Sequence, residues 1–474
     1  MNEIIFIMRK YLLLIIISAT ALAYWLILFF NIPLIHSLFN WFWFFKYKVL
    51  TNWWLLILNV IIIPIFIKFI LKNKQRYILN IILLVLLGYF IQLSYAFLEG
   101  RGIDPFKNRL TLSGHSEYTR LAVNDTKMYD VAWHYEELLK SKKLGQYPNT
   151  KPPGALLFYM GFEGISSTFT KSNNIHLRYN NYITMLSWFF PLLSYLVLFP
   201  LFFLSKIFLS TEESYLTCLL YLFIPSTILI TMHLDQVLYP ALFITSLYLG
   251  ILSFTKKSML FGFLTGVVVY FSLYFSFSII SIIPLVILLG LMLYIGNDSL
   301  KSASRDYFKI IVSMMVGFFI FYLIYIIIFQ YDFFKRFENA FEYHQTWKAW
   351  KTTFKRVAYF SFLNYLEFAC WIGFPVFIIF ILNSILSIKK VIKKSISKLD
   401  LLSLSLLIVF VLLALFGNTR AETARLWLFF VPLICMFVIS ELKKRFPNKF
   451  VEVLQYILFL QLITALFIKA FQDF

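Results

Sequence analysis

The chain has 474 residues, of which 61% are hydrophobic and only 14% charged, with a mean hydropathy of +0.79. Soluble globular chains carry about 25% charged residues, so this composition excludes an ordinary soluble domain and places the protein in a bilayer. The net charge of +20 does not argue for nucleic acid. The basic residues sit mainly between apolar runs, where anionic lipid headgroups or a phosphorylated lipid substrate are the fitting partners.

Apolar runs near the length a bilayer requires recur at about 11–31, 52–72, 77–97, 181–205, 213–232, 236–255, 258–277, 278–297, 308–330, 360–387, 400–417, 425–440 and 450–470. They do not alternate polar and apolar residues as barrel strands would. The expected fold is therefore all-α, a polytopic transmembrane helical bundle of about thirteen spans, in one membrane domain over 1–474. The first run follows Arg9 and Lys10 and lacks a small-residue cleavage site, which reads as an uncleaved span. The runs at 258–277 and 278–297 must turn tightly around Ser276 and Ser278. Cys218, Cys370 and Cys435 all lie in apolar segments and suggest neither a disulfide framework nor a metal site.

Short loops carrying Lys72, Lys74 and Arg76, then Lys256 and Lys257, then Lys389, Lys390, Lys393 and Lys394, fall on one side of the alternation, which is the cytoplasmic side by the positive-inside rule. Residues 98–180 then form an outer loop with juxtamembrane helices, in a multi-pass protein of the plasma membrane. The outer stretch 331–357 carries Lys335, Arg336, Lys348, Lys351, Lys355 and Arg356 against that rule, which suggests these residues have a task. The segment 154–170 is short and contains Glu163, so it is expected to lie on or dip into the membrane.

The polar stretch 98–153 concentrates the chain's Asp, Glu, His and Lys. From Asp130, the residues Val131, Tyr135, Leu138 and Leu139 share one helical face, with Gly145 as a natural stop. This predicts a short amphipathic helix at the membrane surface. Asp125 or Asn124 lies near its start, as a cap or as a carboxylate available for general-base chemistry. Lys151-Pro152-Pro153-Gly154 opens the next apolar helix, either as an ordinary helix start or as a cation held on stiff backbone.

The acid-bearing loop, the amphipathic helix and the Lys151-Pro152-Pro153-Gly154 sequence together resemble the GT-C superfamily, the membrane glycosyltransferases that use polyprenyl-phosphate sugars, including the protein mannosyltransferase and aminoarabinose transferase branches. The likeness covers the outer loop and the many-span architecture. It departs from the common pattern in having two spans before the one leading into the loop, and Asn124-Asp125 where paired acids are frequent. The resemblance implies transfer of a sugar from a polyprenyl-phosphate donor to a lipid, glycan or protein acceptor on the extracytoplasmic face. Asp125 is then the first choice of catalytic base, followed by Glu117 and Asp130, and Lys151 approaches the donor phosphate.

Physically, such an inverting transfer needs a carboxylate to take the acceptor's proton and cations to stabilise the departing phosphate. Arg420 or Arg425 is a further candidate for that phosphate, with Glu422 between them, although a turn-fixing salt bridge accounts for the same residues. His115, His233, Asp235, His344 and Glu422 are weaker candidates for a substrate cavity. Glu117, Asp125 and Asp130 offer oxygen ligands to a divalent metal, but no spacing demands one, and no cofactor is certain. Two alternatives are a glycan polymerase or ligase using a pyrophosphate-linked lipid, and a lipid-linked-sugar flippase or transporter. The transporter requires ionisable groups deep in the spans. No internal repeat of the kind common in transporters is visible.

Overall fold

The computed structural model describes residues 2–32, 45–114, 116–124, 127–170, 172, 174–230, 237–295, 300–348, 353–416, 419 and 422–472. Among them the secondary structure is helical, with no strand. Nine helices among the described residues are long and apolar enough to cross a membrane, and the chain is an all-α polytopic integral membrane protein.

The nine differ from the thirteen apolar runs for local reasons. Tyr239–Thr255 and Met259–Phe275 are apolar but only 17 residues each. The run at 213–232 is two helices, Thr211–Leu222 and Pro225–Leu229, because Ile224 takes the extended backbone that a following proline imposes. The run at 360–387 is also two helices, Phe354–Ile372 and Phe374–Ile392, with Gly373 at φ +85° between them. That φ is one that only glycine adopts without strain. The run at 425–440 begins as a turn, Thr423–Leu426, and continues as Val431–Arg445. The expected tight turn at Ser276 is present, its hydroxyl accepting from the Ser278 N–H.

The chain divides into two compact units, Met1–Ile103 with Ser194–Thr231 and Phe354–Phe474, and Asp104–Leu193 with Met232–Thr353. The first unit is built around Val431–Arg445, whose residues from Val431 to Leu442 are all buried. In such an apolar core polar side chains bond to backbone carbonyls, at helix breaks and within helices. Gln461 donates to the Ile372 carbonyl at the Gly373 break (2.7 Å), Gln92 to Thr227 (2.7 Å), and the Tyr95 hydroxyl to Leu462 (2.6 Å). Just beyond the Tyr77–Phe97 helix, Glu99 pairs with Lys469 with both side chains buried, and Arg101 bonds the other carboxylate oxygen. Burial alone would raise the Glu99 pKa, but Lys469, with Arg101 and Lys48, outweighs it and holds the carboxyl down at about 2.

In the second unit, Met259–Phe275 and Leu300–Phe329 pack backbone to backbone. A Cβ on Gly266 would collide with the Met314 carbonyl, and one on Gly317 with the Phe263 carbonyl. Beside this pair lies an apolar cavity of about 280 Å³, lined among others by Val269, Val286, Met314, Phe318 and Phe333. The stretch 331–357 contains a 16-residue helix, Phe333–Lys348. The polar stretch folds into short helices, Asp104–Leu112, Ser116–Val123, Met128–Trp133, Tyr135–Lys140 and Gln146–Asn149, followed by Pro153–Phe169 and Ile175–Leu193. Tyr118, Val131, Tyr135, Leu139, Leu156, Tyr159 and Tyr182 meet in its core. Glu163 is not left exposed to lipid but pairs with Arg178.

Two outcomes are expected of the first unit. Gly373→Ala should cost on the order of 1–3 kcal/mol, read as a lower melting temperature of the purified protein in detergent; an unchanged melt would contradict the strain argument. Because the Glu99 pKa is depressed from its ordinary 4.5 to about 2, its contribution is complete above the ordinary value and is lost as pH falls through that window. Melting temperature should therefore drop less steeply over that window in Glu99→Gln than in wild type.

Candidate functional site

The site is built on the seven residues from Gly145 to Lys151 in the second unit. Gln146–Asn149 is a single helical turn, too short to bond its own ends, and other parts of the unit supply the partners. At its start both Glu117 oxygens accept backbone N–H groups, Oε1 from Gln146 (3.0 Å) and Oε2 from Tyr147 (2.8 Å). Gly145 makes this approach feasible, since a Cβ there would overlap the Glu117 carboxylate. At the other end Arg336, 2% exposed, donates Nη2 to the Asn149 carbonyl (2.7 Å) and pairs through Nη1 with Glu136 (3.2 Å). A carboxylate thus sits at the N-terminus and a guanidinium at the C-terminus, the favourable sense at both ends.

The carbonyls that follow are also held. The Tyr135 hydroxyl shares its one proton between the Pro148 (2.9 Å) and Lys151 (3.3 Å) carbonyls, while the Lys151 N–H bonds back to Pro148 (3.1 Å). Burial is the main reason that the Tyr135 pKa lies well above the ordinary phenol value, so this hydroxyl remains a donor. Pro152 is extended, Pro153 is the first residue of the 17-residue helix, and Gly154 packs against the Tyr274 carbonyl where no side chain fits. Between these fixed points the Lys151 side chain lies over the Tyr239 ring, its Nζ 5.7 Å from the centroid and 3.2 Å from the hydroxyl. The result is an ammonium on immobilised backbone at the start of a helix, an arrangement suited to an anionic oxygen.

The sequence-derived candidates distribute unevenly. Glu117 and Lys151 belong to this arrangement. Asp130 lies in the first turn of Met128–Trp133 and is partly exposed. The amphipathic helix expected from Asp130 is broken at His134 into Met128–Trp133 and Tyr135–Lys140, yet Val131, Tyr135 and Leu139 are buried as its pattern implied. Gly145, expected as its stop, instead precedes the Gln146 turn. His344 is partly buried in Phe333–Lys348. Asp125, His115, His233, Asp235 and Arg420 lie outside the described residues.

Arg425 and Glu422 belong to the first unit and pair with each other, Glu422 in left-handed backbone at φ +66°. This is the salt-bridged turn that the sequence left open. The turn is seated by Phe354–Ile372: Asn364 donates to Thr419 (2.6 Å), Glu367 accepts the Ala424 N–H (3.2 Å), and Thr423 donates to the Asn364 carbonyl (3.1 Å). Among the described residues no three His, Cys, Asp or Glu side chains gather as metal ligands.

Arg336, Glu136 and Tyr239 were not among the sequence candidates. The available signal was the basic character of 331–357, which marked Arg336 without showing its partner. No protein-family model matches the chain, and no curated protein sequence matches it.

Gly145→Ala should push Glu117 off the two N–H groups and cost roughly 1–3 kcal/mol. Hydrogen exchange at the amides of residues 146–151 should accelerate while the Val431–Arg445 helix stays protected. Unchanged exchange there would show that Glu117 does not hold the turn.

Proposed function

We propose that the protein is a membrane glycosyltransferase of the GT-C type, moving a sugar from a polyprenyl-phosphate donor to a lipid, glycan or protein acceptor at the extracytoplasmic face. The observation that carries this reading is the fixed Lys151. Its backbone bonds to Tyr135 and to Pro148, and the Asn149 carbonyl two residues earlier bonds to Arg336, before the Pro153–Phe169 helix begins, so an ammonium is presented with little reorganisation to a phosphate whose charge grows as the sugar leaves. Asp125 serves as the base that takes the acceptor's proton. It is preferred over Glu117, whose oxygens are both engaged by backbone N–H groups. The apolar cavity of the same unit offers a hydrocarbon chain a lodging.

A transporter reading is less well supported. In the nine candidate spans every Asp, Glu, Lys and Arg lies within a turn or two of one end or the other, whereas a translocation path places such groups midway. Glu367, buried in Phe354–Ile372, seats a turn, and that helix is not among the nine.

The test is transfer of labelled sugar from a panel of polyprenyl-phosphate sugars by purified wild type, Asp125→Asn and Lys151→Ala, with and without a chelator. Asp125→Asn should lose about 10²–10⁴-fold in turnover and keep donor binding. Lys151→Ala should lose donor binding, and the chelator arm reports any need for a divalent metal. Full transfer by Lys151→Ala, or flipping of the donor by wild type without transfer, would overturn the assignment.

A further inference from the structure

We propose that Arg336 is a positioning residue for Lys151, setting the protein's affinity for a lipid phosphate through the backbone of residues 146–151. The inference rests on the transferase reading above and deepens it. Arg336 never reaches Lys151 in the described contacts; it acts two residues upstream, on the Asn149 carbonyl (2.7 Å). Its Nη1 is held by both Glu136 oxygens (3.2 and 3.3 Å), and Asn339, one helical turn from Arg336, bonds that carboxylate too (3.3 Å). Glu136 is adjacent in sequence to Tyr135, whose hydroxyl holds the Pro148 and Lys151 carbonyls. One short helix, Tyr135–Lys140, therefore holds the lysine's backbone with its first residue and orients the arginine with its second.

Stability alone gives a poor account of this arrangement. A buried ion pair is often no better than well-packed apolar side chains of similar volume, and Arg336 Nε has no hydrogen-bond partner among the described residues. What the guanidinium provides that an apolar residue cannot is a donor to the last carbonyl of the turn that leads into Lys151. Its charge is matched by Glu136, so its influence on Lys151 travels through bonded backbone rather than through a second positive field.

The experiment measures binding of undecaprenyl phosphate to the purified full chain, with undecaprenol as the control lacking the phosphate. Lys151→Ala should weaken phosphate binding about tenfold or more. Arg336→Met should weaken it by a comparable factor, Arg336→Lys should restore part of the loss, and undecaprenol binding should be unmoved in all three. The double variant should bind no worse than Lys151→Ala alone, the non-additivity expected of residues that act as one unit. Tyr135→Phe, which leaves the ion pair intact, should also weaken binding and keeps the proposal testable if Arg336→Met fails to fold. Wild-type binding by Tyr135→Phe and by folded Arg336→Met, or losses that simply multiply in the double variant, would overturn the positioning role. Wild-type binding by Lys151→Ala would instead sink the phosphate role of that lysine, and the transferase reading with it.

Discussion

The second unit depends on an accounting requirement: the peptide groups at the ends of a short turn have no partner within it and find one elsewhere. Gln146–Asn149 is too short to satisfy itself. Its donors are taken by Glu117 from one helix, and its carbonyls by Tyr135 from a second and Arg336 from a third. Three elements, two nearby in sequence and one far along the chain, converge because one turn cannot close alone. The lysine that follows inherits their rigidity. Preorganisation of this kind is what separates a surface lysine from a phosphate ligand, since a flexible four-carbon stem otherwise loses much of its binding energy to ordering.

The first unit meets the same requirement differently. Its helices break at Ile224-Pro225 and at Gly373, and the freed groups are recovered by long amide side chains reaching across from other helices, as with Gln461 and Ile372. Glu99 and Lys469 go further and bury an ion pair at the edge of the apolar layer, where Arg101 takes the carboxylate oxygen that Lys469 leaves open. In both units the polar residues within the helical layers act mainly on backbone, and only secondarily on one another.

Those local rules decide what could be read from the amino-acid order. The helical, membrane-spanning class follows from apolar runs that no soluble chain carries. The buried face of Val131, Tyr135 and Leu139 follows from their spacing, and the helix start at Pro153 from the stiffness of two prolines. Glu117 is a different matter: an acid in a polar stretch looks like a catalyst until the turn it caps, beginning 29 residues later, is folded against it. Gly145 was legible as a break and illegible as a gap made for a carboxylate. Arg336 drew notice as a basic residue on the wrong side of the membrane. Its partner was hidden because Glu136 lies 200 positions away, and no periodicity links residues so far apart. The pairing of Arg425 with Glu422 was visible because it spans three positions.

The glycine contact between Met259–Phe275 and Leu300–Phe329 bears on how the protein is made. Gly266 and Gly317 let each backbone rest on a carbonyl of the other helix, a contact that draws on van der Waals fit rather than on any drive to escape water. Ile282–Ile295 lies between the two in sequence, so the earlier helix is synthesised before its mate. Until that mate is made, Gly266 has no carbonyl to meet. Leu300–Phe329 supplies the Met314 carbonyl that Gly266 meets and brings Gly317 to the Phe263 carbonyl, which makes the later helix the clasp of the pair.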